Sequence, residues 1–113
     1  MDQRFAIVKG TLDVLVLKAL SWGPMHSFEI ATWLADRAAG AVEIDDSALY
    51  QALYRMEARG LVSADWGTTD NHRRARYYRH TRAGRAALNA QTSQLLGYAK
   101  VLTAILSAAP RTT

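Results

Sequence analysis

No cysteine occurs in the 113 residues, and no aspartate or glutamate follows Asp70. The first absence excludes a disulfide framework and removes the strongest ligand for a structural metal, which fits a reducing cytoplasm. The second makes one end of the chain single-signed. Residues 71–113 hold eight Lys/Arg and no acid, whereas residues 1–70 hold six Lys/Arg and all ten acids. Six of those eight cations are arginines between Arg73 and Arg85. Such asymmetry points to an anionic partner met by one part of the fold. Prolines number only two, and Pro24 and Pro110 each fall where a helical pattern stops. No run of about 20 apolar residues is present, so a membrane-spanning helix is not expected. Met1 to Gly10 carries Asp2, Arg4 and Lys9 and lacks the apolar core of a signal peptide. Half the residues are nonetheless apolar, enough for a folded core and too many for a disordered segment.

The apolar residues organise into helices and one hairpin. Thr11 to Trp22 is apolar on nearly every side; its length, with Thr11 as N-cap and Gly23-Pro24 as stop, predicts a buried helix. Phe28, Ala31, Leu34, Ala35 and Ala38 form one face of a second helix over about 26–38, with Gly40 just past its end. Asp45 or Asp46 caps a third helix running to Arg59 and stopping at Gly60, with Leu49, Ala52, Leu53 and Met56 on its inner face. Two alternating runs, 61–68 and 73–80, flank the polar turn Thr69-Asp70-Asn71-His72 and read as an antiparallel hairpin. Thr81 then caps a final helix reaching about Ala108. Leu88, Leu95, Ala99, Leu102 and Leu106 lie along it at a spacing of three to four, widened by Leu96, Val101 and Ile105. From Ala86 to Pro110 the one charge is Lys100. A helix this apolar needs a cover that three short helices and a hairpin cannot supply, and a second copy of the chain is the economical one.

Three helices followed by a hairpin is the order of a winged helix. The expected fold is therefore α+β, mostly α: a winged helix-turn-helix over 10–80, with an N-terminal buried helix, and a long C-terminal dimerisation helix over 81–109. The dimer interface is expected to use Leu12, Leu15, Leu88, Leu95, Leu96, Ala99, Leu102, Ile105 and Leu106.

The third helix turns Ser47, Tyr50, Gln51, Tyr54 and Arg55 away from its apolar face. A merely solvated face would carry Glu and Lys instead. Gln and Arg can match base edges, and Tyr and Ser can bond phosphates. The second helix of a helix-turn-helix motif enters the major groove, and here that helix is the third of the chain. Glu43, Asp45 and Asp46 at its start run against this reading, since uncapped acids there repel phosphates. Asn71, His72, Arg73 and Arg74 lie at or beside the hairpin tip, with Arg76 just behind; arginines there suit phosphate clamping or insertion into a minor groove.

These residues carry a resemblance. Leu12-Asp13 through Leu17, followed by Gly23-Pro24-Met25-His26-Ser27-Phe28-Glu29-Ile30, resembles the opening of the PadR-like transcriptional regulators. Ser47 to Val62 is similar to that family's recognition helix and the start of its wing, and Arg73 to Arg85 to its wing return and the start of its last helix. The resemblance implies a winged helix-turn-helix homodimerised through the C-terminal helix with help from the first. It implies repression of nearby genes, relieved in many members by a small, often aromatic ligand, and it makes Tyr50 the recognition-helix tyrosine that contacts DNA. The single short C-terminal helix resembles the family's smaller branch. Ser27 stands where the family usually has Gly, Phe28 where it has Tyr, and Gln51 where it has Pro. The dimer helix has Tyr98 and no tryptophan; an effector pocket would be sought between Trp22, Trp33, Tyr98 and their dimer mates.

Enzymatic chemistry is not expected. His26, His72 and His80 are scattered over three elements, and neither a phosphate loop nor an activated nucleophile is found. No catalytic residue, metal or cofactor is assigned. The expected function is sequence-specific binding of double-stranded DNA at a pseudo-palindromic operator by a cytoplasmic homodimeric regulator, a repressor relieved by a small ligand. The alternative is a winged-helix adaptor or ligand sensor that makes no DNA contact, a role for which tip arginines have no use.

Overall fold

The computed structural model describes residues 4–111. Its elements run β1 (Phe5–Ala6), α1 (Leu12–Leu20), α2 (Ser27–Arg37), β2 (Val42–Glu43), α3 (Asp46–Ala58), β3 (Val62–Thr68), β4 (Arg74–His80) and α4 (Arg82–Leu106). All four expected helices and the hairpin are present. The β1–β2 pair is not among the expected elements. It is parallel and two residues long, joining Phe5 to Val42 and Ala6 to Glu43.

The core forms where α1 meets α2, α3, α4 and β4. Val16, Leu17, Leu20, Ile30, Leu34, Leu49, Leu53, Met56, Val62, Tyr78 and Leu88 are buried together. Burial on this scale makes α1 central, as a helix apolar on several sides must be. Its Thr11 does not cap through the side chain, contrary to expectation; the hydroxyl donates to the Val8 carbonyl at 2.6 Å. Asp45 does cap α3, its carboxylate accepting from the Ser47 N–H at 3.1 Å. α2 begins with a reciprocal cap in which Glu29 N–H donates to His26 Nδ1 (3.2 Å) and His26 N–H to Glu29 Oε1 (3.1 Å).

The hairpin registers Val62 with His80, Ala64 with Tyr78 and Trp66 with Arg76. Its inner face passes from buried Val62 through half-buried Ala64 to exposed Trp66, so the wing leaves the core as it approaches its tip. At the tip His72 takes a left-handed backbone (φ 61°), and Thr69 N–H donates to the Arg73 carbonyl at 2.8 Å. α4 is docked at its start. Thr81 donates from Oγ1 to the Gly60 carbonyl (2.6 Å) and from N–H to the Leu61 carbonyl (3.0 Å), while Gly84 N–H donates to Thr81 Oγ1 (3.1 Å). A Cβ on Gly84 would sit 2.0 Å from the Leu61 carbonyl oxygen, so only glycine lets the helix approach this closely.

α4 stays in contact with the rest of the chain as far as Leu95 and is exposed along most of its length beyond it. Leu88, expected at a dimer interface, is instead buried in the chain's own core. Leu95 packs partly against that core, whereas Leu96, Ala99, Val101, Leu102, Ile105 and Leu106 are exposed. Among the described residues, no helix is long and apolar enough to cross a membrane.

Candidate nucleic-acid interface

Ser47, Tyr50, Gln51, Tyr54 and Arg55 all lie on the exposed side of α3, because Leu49, Ala52, Leu53 and Met56 claim the other side for the core. The wing stands beside this face. One cleft of about 870 Å³ is lined by His26 to Glu29 of α2, Tyr50 of α3, and Trp66, Asn71, Arg73, Arg74 and Arg76 of the wing. A second, of about 640 Å³, runs on between Tyr50, Gln51, Tyr54, Arg55, Glu57, Arg76 and Tyr78. Apart from Ser47 and His72, which line neither cleft, the candidate residues of helix and wing thus border one continuous surface, with the start of α2 included. Nothing in the sequence pattern placed α2 there; the signal was the Met25–Tyr78 bridge, which a sequence does not display.

The arginines differ in how they are held. Arg73 and Arg74 are exposed. The Arg74 guanidinium lies over the Trp66 ring, 4.5 Å from its centroid, which orders the side chain and leaves its N–H edges open to an acceptor. Arg76 is half-buried and engaged: its Nη2 donates to Glu57 Oε2 at 2.7 Å, and its guanidinium also lies 5.6 Å from the Tyr78 ring. Arg55 donates to Asp13 Oδ1 of α1 at 2.9 Å. Of the four arginines expected to read or clamp an anion, Arg55 and Arg76 therefore already have carboxylate partners within the chain. Burial pushes the Tyr78 phenol above its ordinary pKa, with Glu57 and Tyr50 adding to the rise and Arg76 opposing it. The neutral phenol is thereby kept against the Arg76 guanidinium.

Of the three acids that argued against this surface, two are turned to other uses. Asp45 is occupied by its cap, and Glu43 lies on β2, bordering a separate groove with Arg4 and Lys9 of the N-terminal arm. Asp46 remains exposed in the first helical turn. Tyr50 is held from the side: Ser27 Oγ donates to its hydroxyl oxygen at 3.0 Å.

The aromatic residues considered for an effector do not meet within the chain. Trp22 and Trp33 pair at 6.4 Å between centroids, with the Arg37 guanidinium over both rings at 5.5 and 5.2 Å. Tyr98 borders a different groove, with Asp13, Arg59 and Leu95. Among the described residues, no three potential metal-ligating side chains converge.

Such a surface offers an anionic partner hydroxyl, amide and guanidinium groups, with Asp46 and Asp70 as exposed acids among them. Comparison with known proteins bears on what it serves. Residues 16–90 match the model of the transcriptional regulator PadR-like family. The fold is similar to that of a PadR family transcriptional regulator from Eggerthella lenta (27% identity, TM-score 0.74, covering 89% of this chain and 86% of that one). It is similar to a PadR family transcription regulator from Clostridium difficile (24% identity, TM-score 0.74, covering 86% and 99%). It is also similar to Bacillus subtilis PadR solved in complex with operator DNA (16% identity, TM-score 0.65, covering 73% of this chain and 47% of that one).

Proposed function

The chain belongs to the PadR-like family of transcriptional regulators, a family of regulators rather than enzymes, and from that premise we propose that it binds a pseudo-palindromic double-stranded operator as a homodimer. In this reading residues 10–80 form the DNA-binding unit and 81–109 the dimerisation helix. α3 enters the major groove with Tyr50, Gln51 and Tyr54, Ser47 bonds the backbone at its start, and Arg73 and Arg74 of the wing hold phosphates or reach into the adjacent minor groove. Asn71 and His72 flank those arginines at the tip. The observation that carries the reading is the single surface on which α3 and the arginine-tipped wing stand together, where Asp46 and Asp70 are the exposed acids without a cap or ion pair among the described residues. The operator complex of the B. subtilis relative supports a duplex as the partner.

Dimerisation rests on the far end of α4. Leu96, Val101, Leu102, Ile105 and Leu106 are exposed together, and a monomer rarely leaves a contiguous apolar strip of this kind in water. Two copies laid along this strip bury it by two-fold symmetry and set two α3–wing units side by side, a reading that also enlists Leu12 and Leu15 of α1, half-buried against the core. In this reading the protein acts in the cytoplasm on the nucleoid, and represses its target until a small ligand releases it; that last step draws on the family resemblance alone.

The test is binding to the duplex upstream of its own gene, measured across a salt series. With about six phosphates neutralised by a dimer, affinity falls roughly a thousandfold from 50 to 200 mM salt. A salt-independent affinity, or none at low salt, would favour a protein-binding adaptor.

A further inference from the structure

Tyr50 is more than half exposed, and a phenol on a helix surface ordinarily swings between rotamers. Here one side chain from a different element restrains it. Ser27 is the first residue of α2, and its Oγ donates to the Tyr50 hydroxyl oxygen across 23 residues of sequence, at 3.0 Å.

Ser27 is itself well anchored. The His26–Glu29 reciprocal cap fixes the first turn of α2 on one side of it. On the other, Met25 and Tyr78 exchange backbone bonds, Met25 N–H to the Tyr78 carbonyl at 3.0 Å and Tyr78 N–H to the Met25 carbonyl at 2.8 Å. The turn bearing Ser27 is thus clamped to the wing strand, and through Ser27 the start of α2, the wing and the recognition-helix tyrosine share one geometry. Either hydroxyl can donate in such a pair, and an acceptor in the cleft that Arg73 and Arg74 border selects the sense in which Ser27 donates, the Tyr50 oxygen accepts and the phenol proton is donated outward. A hydroxyl that accepts one hydrogen bond is polarised into a better donor of the next.

We propose that Ser27 is a positioning residue that holds the Tyr50 hydroxyl for donation to a phosphate oxygen of the bound duplex. The proposal rests on the DNA-binding reading above. Its chemistry predicts a particular signature. Ser27 is neutral and releases no counterion, so its loss weakens binding without altering the salt slope, unlike loss of a wing arginine.

The experiment titrates the full-length protein against the duplex upstream of its own gene, and against a scrambled duplex of equal length. Four proteins are compared: wild type, Ser27→Ala, Tyr50→Phe and the double variant, with Ser27→Thr as the rescue. Ser27→Ala is expected to raise Kd about three- to tenfold on both duplexes with the salt slope unchanged, and Ser27→Thr to restore most of the loss. In the Tyr50→Phe background, Ser27→Ala is expected to do nothing, because the acceptor is gone. An equal loss in both backgrounds makes Ser27 a structural residue of α2 and overturns the proposal, as does an unchanged Kd in Ser27→Ala. Wild-type protein that binds neither duplex at low salt removes the DNA-binding reading itself, and the proposal with it.

Discussion

The α3–wing surface and the free end of α4 are both exposed and both rich in large side chains, yet their chemistry suits different partners. The first mixes Tyr50, Tyr54 and Trp66 with Gln51, Arg73 and Arg74, side chains that offer donors as well as area. The second is Leu96, Val101, Leu102, Ile105 and Leu106 with Lys100 as its one charge from Ala86 to Pro110. A polyanion rewards the first surface, because each phosphate neutralised releases counterions. It gains nothing from the second, which only exclusion of water rewards. α4 itself passes from the core, at Gly84 and Leu88, to this open strip.

The largest expected effect comes from putting a charge on the strip. Leu102→Asp should convert dimers to monomers by light scattering at micromolar protein, and cut affinity for a two-half-site duplex about a hundredfold through lost avidity. A persistent dimer would place the interface elsewhere. Next comes the docked end of the same helix. Gly84→Ala drives a methyl into the Leu61 carbonyl and should cost about 3 kcal/mol in denaturant unfolding. No loss of stability there means that α4 is not seated on the Gly60–Leu61 turn as described.

On the other surface, Gln51→Ala should relax sequence preference, each lost base contact costing about 1–3 kcal/mol against the preferred duplex and little against a scrambled one. The wing arginines sharpen the contrast further. Arg74→Ala should weaken binding to all sequences and lower the salt slope by about 1. Arg76→Ala should leave that slope largely intact and instead lower stability by about 0.5 kcal/mol, since Arg76 is spent on Glu57. Equal slopes for the two variants would refute the distinction between an open and a paired arginine.

How far the sequence carries depends on whether a feature is local. Asp45, Gly60 and Thr81 mark their helix ends by short-range chemistry, and the alternation from Val62 to His80 marks the wing, so these were legible. The β1–β2 pair was not, because two residues at each strand carry no periodicity and the pairing is set by chain packing. Thr11 lost its capping role to the nearby Val8 carbonyl, an alternative that a residue type cannot reveal. Leu88 continues the same stripe as Leu95 and Leu102, and only the docking of α4 separates the core-facing residue from the open ones. In the candidate site, the outward face of α3 was legible from its polar and aromatic residues. The partners of Arg55 and Arg76 were not: Asp13 lies 42 positions away and Glu57 lies 19, and nothing in either spacing announces an ion pair.

The most direct test of the α3–wing assignment is amide and indole shift mapping of labelled protein by NMR as duplex is added. The account predicts changes at Ser27, Tyr50, Gln51, Tyr54, Arg73 and Arg74, with the indole N–H signals of Trp22 and Trp33 left in place. Movement of those two indoles while the α3 amides stay fixed would contradict it.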